Sequence, residues 1–321
     1  MLQTPVLFIV FNRPDTTQVV FDAIKKAQPK QLFIAADGPR KDKKDDLEKC
    51  NAVRAIIKEV DWECEVKTFF RDENLGCNKA VTGAISWFFE QVEEGIILED
   101  DCLPHKDFWG YACELLNKYR DNTQVKIING NNFQNGNKRG DASYYFSYLP
   151  SIWGWATWRR AWKEYDYDIM LHLNKAELNR MVETVYADKD ARKYWLKYFN
   201  YIKEGRPIAW DSRVTLSIWK HRGLCIAPNT NLITNIGFGS EATHSMSNDS
   251  QFANMTSHPI LPLLHPISIV RNEVADIFYY KNYQHNTLTP PNLRRKIEEL
   301  IPWRIRKGIS NKTRFLFGKK K

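Results

Sequence analysis

Apolar and polar positions alternate in blocks along the first half of the chain. Short runs of apolar and β-branched residues predict buried strands at residues 4–11, 31–36, 65–70 and 96–98. Between these runs, apolar residues recur every three or four positions, which is the period of an amphipathic helix. The most regular of these helices carries Ala80, Val81, Ala84, Ile85, Phe88 and Phe89. Because strands and helices alternate, the pattern predicts an α/β fold with a mostly parallel, doubly wound sheet.

Polar turns follow the first two predicted strands. The first strand meets Asn12-Arg13-Pro14, and Asp15 or Thr16 is expected to cap the helix that follows. The second strand ends in Asp37-Gly38-Pro39-Arg40, a predicted turn whose first residue is an acid.

The second half of the chain shows shorter strands and longer polar segments. Strands are predicted at 125–128, 144–148 and 224–227, two helices within 175–204, and one helix over 209–221. The Gly-rich polar residues 129–143 predict a loop long enough to be a lid, and residues 236–245 predict a second loop that contains His244. Residues 246–292 contain many prolines and predict an irregular segment that wraps the body.

Three consecutive acids, Glu99, Asp100 and Asp101, come directly after the apolar strand at 96–98. Their mutual repulsion is costly unless a positive charge lies among them. Mg²⁺ and Mn²⁺ prefer oxygen ligands and commonly join carboxylates to substrate phosphates. The carboxyl ends of strands form the ligand crevice of open α/β sheets. The triplet therefore favours a metal and phosphate site, although a solvated loop or a helix N-terminal turn also fits such a run.

A second cluster of unusual composition is Trp153-Gly154-Trp155. Glycine permits close approach of a ligand or of backbone, and aromatic faces commonly stack on sugars. Filling of the core is the alternative role for each of the two tryptophans.

Composition and cysteine usage narrow the class of protein. Six cysteines are present without CxxC pairing or metal spacing, which predicts reduced core thiols in a cytosolic protein. The sequence shows no signal peptide and no apolar run approaching the ~20 residues of a membrane span.

The net charge of +9 is concentrated at the end of the chain. Residues 294–321 hold eleven Lys/Arg and two Asp/Glu, so the rest of the chain is neutral and no nucleic-acid partner is expected. The tail 293–321 also contains aliphatic and aromatic residues, a composition typical of interfacial membrane segments. Peripheral contact with an anionic membrane is our expectation for it, and a solvated tail is the alternative.

The order of these motifs resembles a known family. Strand, Asn-Arg-Pro, helix, Ala-Asp-Gly, Glu-Asn-Leu-Gly, Leu-Glu-Asp-Asp, Trp-Gly-Trp and Trp-Asp follow one another between residues 4 and 245. This order resembles the GT-A nucleotide-sugar glycosyltransferases, and most of all the inverting N-acetylglucosaminyltransferase I family. The resemblance implies a GT-A fold, which is a Rossmann-like, doubly wound mixed sheet flanked by helices, followed here by the basic amphipathic extension.

Roles for the donor site follow from that resemblance. Asp101 is expected to hold Mn²⁺, or Mg²⁺, against the diphosphate. Asp100 is expected to contact the ribose and Glu99 the donor sugar. Arg13 and Asp37 are expected to bind the nucleotide, with Asp37 near the uracil.

The same resemblance implies Asp211 as the catalytic base and places His244 on a closing loop near the metal or the diphosphate. It also implies that Trp153, Gly154 and Trp155 contribute to the nucleotide-sugar site. The family has two acids after the tryptophan, whereas this chain has Asp211 followed by Ser212. The base is therefore assigned to Asp211, with an error of one position left open.

Together these inferences predict a metal-dependent hexosyltransferase. It would move a GlcNAc-like sugar from a UDP-sugar to a glycan or lipid-linked acceptor, with inversion, in the cytoplasm or at the inner membrane face. Residues 1–245 are expected to form the catalytic domain, with a nucleotide-sugar half (1–128) and an acceptor half (129–245). The segment 246–292 and the tail 293–321 follow it.

Two alternatives remain at this stage. The first is a nucleotidyltransferase that makes sugar nucleotides, against which the glycine-free turn Phe11-Asn12-Arg13-Pro14 counts. The second is a non-catalytic sugar-binding module of the same fold.

Overall fold

The computed structural model describes residues 1–204, 210–238 and 252–284. The chain divides into two compact units. The first unit comprises Met1–Tyr167 and Ala209–Asp276, and the second comprises Asp168–Ile208 and Ile277–Lys321. All the strands described below lie in the first unit.

The strands follow the apolar runs of the sequence, with several additions. They are β1 (Val6–Val10), β2 (Gln31–Ala36), β3 (Glu65–Phe70), β4 (Glu94–Glu99), β5 (Cys102–Pro104), β6 (Val125–Asn129), β7 (Tyr144–Ser147), β8 (Trp155–Trp158), β9 (Leu224–Pro228) and β10 (Ile233–Asn235).

Eight of these strands form one mixed sheet in the order β3-β2-β1-β4-β8-β6-β9-β7. Strands β3, β2, β1 and β4 are parallel to one another, β8 is antiparallel to both of its neighbours, and β7 is antiparallel to β9. Strands β5 and β10 form a separate antiparallel pair. The α/β class and the doubly wound, Rossmann-like mixed sheet are confirmed.

The helices of the first unit lie between these strands, except for the last one, which follows β10. They are α1 (Pro14–Ala27), α2 (Asp46–Ile56), α3 (Cys77–Phe89), α4 (Lys106–Lys118), α5 (Arg159–Trp162), α9 (Asp211–Lys220) and α10 (Glu273–Tyr279), the last of which crosses into the second unit. The second unit contains α6 (Ile169–His172), α7 (Lys175–Val185) and α8 (Lys189–Lys203).

The expected cap of the first helix is wrong. Helix α1 begins at Pro14, with Arg13 at the N-cap position and no side-chain cap. Proline suits the first helical position because its φ is already helical and its missing N–H would lack a helical partner there. The Arg13 carbonyl accepts from the Thr17 N–H at 3.0 Å and from Thr17 Oγ1 at 2.6 Å. The start of the helix therefore fixes the backbone of Arg13.

The core lies on both faces of the sheet. Every residue of β1 is buried, as are Ile96, Ile97 and Leu98 of β4. A strand buried on both faces is a continuous apolar run, which explains why these strands were evident in the sequence. The covering helices contribute Val20, Phe21 and Ile24 from α1, together with Ala84, Ile85 and Phe88 from α3.

Strands β5, β8 and β10 were not predicted. Strand β8 is the second half of the tryptophan cluster, and all four of its residues are buried beside β4 and β6. Strand β5 follows the acid triplet directly and pairs with β10, so that Cys102 lies opposite Asn235. This pairing brings the segment after β10 back to the acid triplet.

The second unit is helical where it is described. Both helices expected within residues 175–204 are present as α7 and α8. A capping box starts α7, because Asn174 accepts from the Glu177 N–H while the Glu177 side chain accepts from the Asn174 N–H. Among the described residues, no helix has the length and apolarity needed to cross a bilayer.

All six cysteines are free thiols. Cys50, Cys102 and Cys225 are buried, and Cys64 and Cys113 are half-buried, in agreement with the prediction of core thiols. Cys77 departs from that prediction because it is exposed at the start of α3.

Candidate functional site

The charged residues predicted for the donor site follow three neighbouring parallel strands. Arg13 follows β1, Asp37 follows β2, and Asp100 follows β4. Strand β1 pairs in parallel with both β2 and β4, so the carboxyl ends of all three strands lie at one edge of the sheet. This is the edge at which open α/β sheets bind ligands.

Arg13 is the cation that compensates the acid triplet. Its Nη2 donates to Asp100 Oδ1 in a short contact and to Asp101 Oδ2 at 3.0 Å. The other oxygen of Asp100 accepts from the Phe11 N–H at 3.2 Å. Asp100 therefore joins the ends of β1 and β4 and is almost fully buried, whereas Asp101 retains 17 % of its side-chain exposure.

The crowding of carboxylates at this site shifts their pKa values. Burial, with Asp101 and Asp100 as neighbours, raises the pKa of Glu99 to about 8. Burial also raises the pKa of Asp100, against the opposing effect of Arg13. Burial works against the Arg13 guanidinium, yet Asp100 and Asp101 together raise the Arg13 pKa above its ordinary value. The site thus holds more negative charge than Arg13 alone neutralises.

Asp211 belongs to the same cluster of charges. It is the first residue of α9, directly after the buried Trp210. Its charge is close enough to contribute to the raised pKa of Glu99. The structure therefore places the Asp211 charge within electrostatic range of Glu99, although the two residues are more than a hundred positions apart in the chain.

Cys77 lies within reach of the acids and was not predicted to be there. Loss of solvation raises the pKa of its thiol to about 12, and Glu99, Asp211, Asp37 and Asp101 add to that shift. The charges of these four carboxylates therefore act at the start of α3. The Glu-Asn-Leu-Gly motif just before it was the signal in the sequence.

The segment after β10 closes against Asp101. The Ile236 N–H donates to the Asp101 carbonyl at 2.8 Å. A Cβ at Gly237 would overlap the Asp101 carboxylate and come within 2.6 Å of Arg13 Nη1. Glycine is therefore required at 237 if the pairing of Arg13 with Asp101 is to be kept. Residues 239–251, which contain His244, lie outside the described part of the chain.

Asp37 organises the loop that precedes α3. Its carboxylate accepts from the N–H groups of Gly38 (3.0 Å), Leu75 (3.0 Å) and Gly76 (3.1 Å), and from Asn74 Nδ2 (3.0 Å). Gly76 adopts φ = 77°, a left-handed conformation that favours glycine. Asp37 is only 7 % exposed, and it holds the Asn74–Gly76 loop beside the strand ends.

A second buried acid, Asp46, was missed within a charged segment of the sequence. Its carboxylate accepts from Asn12 Nδ2 at 2.8 Å and from Arg40 Nε at 2.5 Å and Nη2 at 2.8 Å. The Arg40 guanidinium also lies over the ring of Phe11, 5.4 Å from its centre. Asp46 therefore ties the turn after β1 to the turn after β2.

The tryptophan cluster divides into different environments. Trp153 is half-buried and makes edge contacts with Phe133, Phe238 and Phe252 at 5.6–6.2 Å between ring centres. Trp155 is 1 % exposed in β8, where its ring neighbours are Trp162 and Trp210.

Gly154 lies between these tryptophans at φ = 59°. A Cβ there would overlap Ile233 and come within 3.2 Å of Leu98. The close approach expected at this glycine is therefore made by side chains of the protein's own core, beside the strand that carries the acid triplet.

The acids suit a hard divalent cation in their chemistry. Within residues 1–204, 210–238 and 252–284, no three His, Cys, Asp or Glu side chains form a ready set of metal ligands. The part-exposed Asp101, in a cluster with excess negative charge, fits an ion that takes its remaining ligands from phosphate oxygens and water.

Comparisons with known proteins find matches among solved structures. No family model and no curated protein matches the chain. HddC from Yersinia pseudotuberculosis is 9 % identical with a TM-score of 0.33, over 52 % of this chain and 81 % of its own. Apo UDP-glucose pyrophosphorylase is 10 % identical with a TM-score of 0.35, and the match covers 73 % of this chain and 93 % of its own.

Mouse xyloside xylosyltransferase 1 is 10 % identical with a TM-score of 0.32, over 68 % of this chain and 81 % of its own. By their names, the matches include enzymes that make nucleotide sugars and an enzyme that transfers a sugar. Similarity at this level carries no conclusion about activity, and the case for a function rests on the chain's own residues.

Proposed function

We propose that the protein is a metal-dependent glycosyltransferase that moves a sugar from a UDP-sugar to a glycan or lipid-linked acceptor. The observation that supports it is the cluster of Arg13, Asp100 and Asp101 at the carboxyl edge of the sheet, with Asp211 in electrostatic reach of Glu99. A cation beside crowded acids suits a diphosphate and a divalent ion together. The preference for uridine and for a GlcNAc-like hexose rests on the family resemblance.

Arg13 is the residue proposed to stabilise the leaving group. Its guanidinium is held by two carboxylates and by a helix start, so it needs little reorganisation when charge develops on the diphosphate. Fixed charges aimed at developing charge are usually the largest single contribution to catalysis.

Asp101, together with His244, would hold Mn²⁺ or Mg²⁺. When bound, such an ion would neutralise phosphate charge as a Lewis acid. Asp100, whose oxygens accept from Arg13 and the Phe11 N–H, would keep the two strand ends in place beneath the nucleotide.

Asp211 is the proposed base. An acceptor hydroxyl is a weak nucleophile, and a carboxylate within hydrogen-bond reach takes its proton as the oxygen attacks, typically a gain of ~10²–10⁴-fold. Attack opposite the leaving UDP in a single displacement inverts the configuration of the sugar. The neighbouring Ser212 is 6 % exposed and is not basic, so Asp211 remains the assignment.

The nucleotide is proposed to lie between the turn after β1 and the Asp37 loop. Asp37 would face the uracil, and Trp153 would supply an aromatic surface to a sugar. We place the activity in the cytoplasm, with contact at the inner membrane face through residues 293–321, which lie outside the described part of the chain.

The test is a donor panel. Purified protein with Mn²⁺ is offered a series of nucleotide sugars, and thermal stabilisation and release of nucleoside diphosphate are measured. We expect one UDP-sugar to stabilise the protein, and both EDTA and Asp101→Ala to abolish that effect. Asp121→Asn is the matched control, because Asp121 is an exposed acid away from the site. A donor response that survives both EDTA and Asp101→Ala would exclude the metal site.

A second experiment tests the base. We expect Asp211→Asn to retain donor stabilisation and to lose transfer by about 10²–10⁴-fold, because only proton removal is impaired. Wild-type transfer by this variant would show that the assignment of Asp211 is wrong.

The alternative functions give different outcomes in the same assays. Pyrophosphate release from UTP in the presence of a sugar 1-phosphate would identify a nucleotidyltransferase. Donor binding without turnover, with and without a panel of acceptor glycans, would identify a sugar-binding module.

A further inference from the structure

A series of exposed apolar side chains lies on the segment before α10 and in the first turn of that helix. Leu261, Leu264, Ile267, Val270 and Val274 are 41 %, 59 %, 107 %, 67 % and 67 % exposed. We call these five residues the apolar ridge. Among the described residues twelve large apolar side chains are exposed, and five of them lie within these fourteen positions. Single exposed apolar residues are ordinary on soluble proteins, but such a concentration marks an interaction surface.

The spacing of the ridge arises from the way the segment packs. Ile260, Leu263 and Ile269 lie one position before ridge residues and pack against the main core. The repeat of about three residues places one apolar set against the protein and the other towards solvent. Core packing therefore explains the inner set. In the outer set, Leu261 also lies against Gly110 of α4, whereas Leu264, Ile267, Val270 and Val274 are 59 %, 107 %, 67 % and 67 % exposed.

Hydrogen bonds hold the segment in place. Asp107 Oδ2 accepts from the N–H groups of Ile260 and Leu261 at 3.0 and 3.3 Å. Leu264 exchanges two bonds with Ser143, one from its N–H to Ser143 Oγ at 2.8 Å and one from the Ser143 N–H to its carbonyl at 2.7 Å. The ridge is thus presented by a fixed backbone, so little entropy is lost when it meets a partner.

The far end of the segment is anchored by a buried ion pair. Arg271 Nε donates to Asp276 at 2.6 Å, and Asp276 also accepts from Ser147 Oγ at 2.5 Å. The Asn272 N–H donates to the Phe146 carbonyl at 2.7 Å. These bonds join the end of the ridge to strand β7 of the sheet.

We propose that the apolar ridge inserts into the surface of an anionic bilayer. The choice of partner rests on charge. Beginning twenty residues after Val274, the stretch from Arg294 to the end of the chain carries eleven Lys/Arg against two Asp/Glu. Stable attachment to a membrane takes two signals, and an apolar insertion in the same chain as a polybasic sequence supplies both. The inference concerns a surface of the first unit and stands independently of the proposed transfer reaction.

The test is sedimentation of the full chain with vesicles. Vesicles of phosphatidylcholine alone are compared with vesicles that contain equal parts of phosphatidylglycerol. We expect Leu264→Gln with Ile267→Gln to lower the partition coefficient on the anionic vesicles about tenfold, since two apolar side chains no longer enter the interface. Glutamine adds no charge, so the loss measures insertion rather than repulsion.

The matched control is Leu47→Gln with Leu171→Gln. Both leucines are exposed, at 58 % and 80 %, and lie outside the ridge. This double variant should bind vesicles as the wild type does. High salt should weaken binding of both wild type and ridge variant by screening the basic tail, while the ratio between them persists.

Two outcomes would overturn the proposal. Equal binding of the ridge variant and the wild type would show that the ridge does not touch the bilayer. A wild-type dimer in sedimentation velocity that becomes a monomer in the ridge variant would show that a second copy of this chain covers the ridge instead. Thermal unfolding of every variant confirms that the comparison is made on folded protein.

Discussion

Gly237 lies so close to Asp101 that no side chain fits between them. A Cβ there would overlap the Asp101 carboxylate, and it would stand 2.6 Å from Arg13 Nη1, below any normal contact distance. The segment after β10 is therefore in contact with the ion pair that compensates the acid triplet. A side chain added at position 237 therefore acts directly on Arg13 and Asp101.

Gly237→Ala tests this contact. We expect the added methyl to displace the Arg13 guanidinium or the Asp101 carboxylate and to lower kcat/KM for the donor about tenfold or more. Stability should change little, because residue 237 is half-buried and its φ lies outside the left-handed region.

Gly83→Ala is the control for that substitution. Its Cβ would meet Nη2 of Arg71 at 2.7 Å, the far end of a flexible side chain that can move aside. Steady-state kinetics of both variants measure the effect. Equal kinetics for Gly237→Ala and Gly83→Ala would mean that the Arg13–Asp101 pair tolerates displacement.

Asp46 predicts a dependence of stability on acid pH. Hydrogen bonds from Arg40, outweighing the opposing effect of burial, lower the pKa of Asp46 from 3.8 to about 2. A carboxyl group whose folded pKa is depressed stabilises the protein above its unfolded pKa, and this contribution is lost as pH falls from about 4 to about 2. Because Arg40 is partly exposed, we expect about 1–2 kcal/mol.

The measurement is urea denaturation of wild type and Asp46→Asn near neutral pH and at about pH 3. Wild type should be the more stable protein at neutral pH, and the difference should shrink at the lower pH. Asp42→Asn is the matched control, since Asp42 is an exposed acid of the same charged segment. A difference between wild type and Asp46→Asn that stays constant with pH would contradict the ion pair.

Asp37→Asn tests whether the loop before α3 depends on a full carboxylate. Four hydrogen-bond donors converge on the Asp37 carboxylate. An asparagine amide has only one oxygen to accept from them, and its NH₂ group, itself a donor, would face the remaining donors. We expect a loss of about 1–3 kcal/mol in the free energy of unfolding, together with a higher KM for the donor.

The exposed Asp72 lies near the same loop in sequence, and Asp72→Asn should change neither quantity. Denaturation and donor titration together distinguish the roles of Asp37. A variant that is destabilised but has an unchanged KM for the donor would show that Asp37 has only a structural role.

The elements of the fold that were predicted from the sequence are those determined by a local pattern of apolar residues. Strand β2 has the bounds that its apolar run predicts, and α3 covers its periodic residues, because burial on one or both faces leaves a visible pattern. Strand β8 left no such pattern, since its four buried residues follow a glycine in a tryptophan-rich stretch that also fits a loop. Its position between β4 and β6 is decided by distant strands.

The candidate site shows the same division. Arg13 and the acid triplet were predicted because each follows an evident strand. Their direct pairing was not, because it depends on the parallel register that places β1 beside β4. Gly237 and Asp46 were missed for a related reason. Each contacts a residue far away in sequence, and such a contact cannot be recognised from composition.

Arg13→Gln separates the two positive charges that the site is proposed to use. Removing the guanidinium leaves Asp100 and Asp101 without their cation, so we expect the donor KM to rise about tenfold or more as the diphosphate loses a charged partner. The Mn²⁺ concentration for half-maximal activity should fall, because Arg13 no longer competes for Asp101 Oδ2. Arg13→Lys keeps the charge without the planar fork and should be intermediate in both quantities. If both quantities rise in Arg13→Gln while its thermal unfolding stays normal, Arg13 supports the metal ion rather than competing with it.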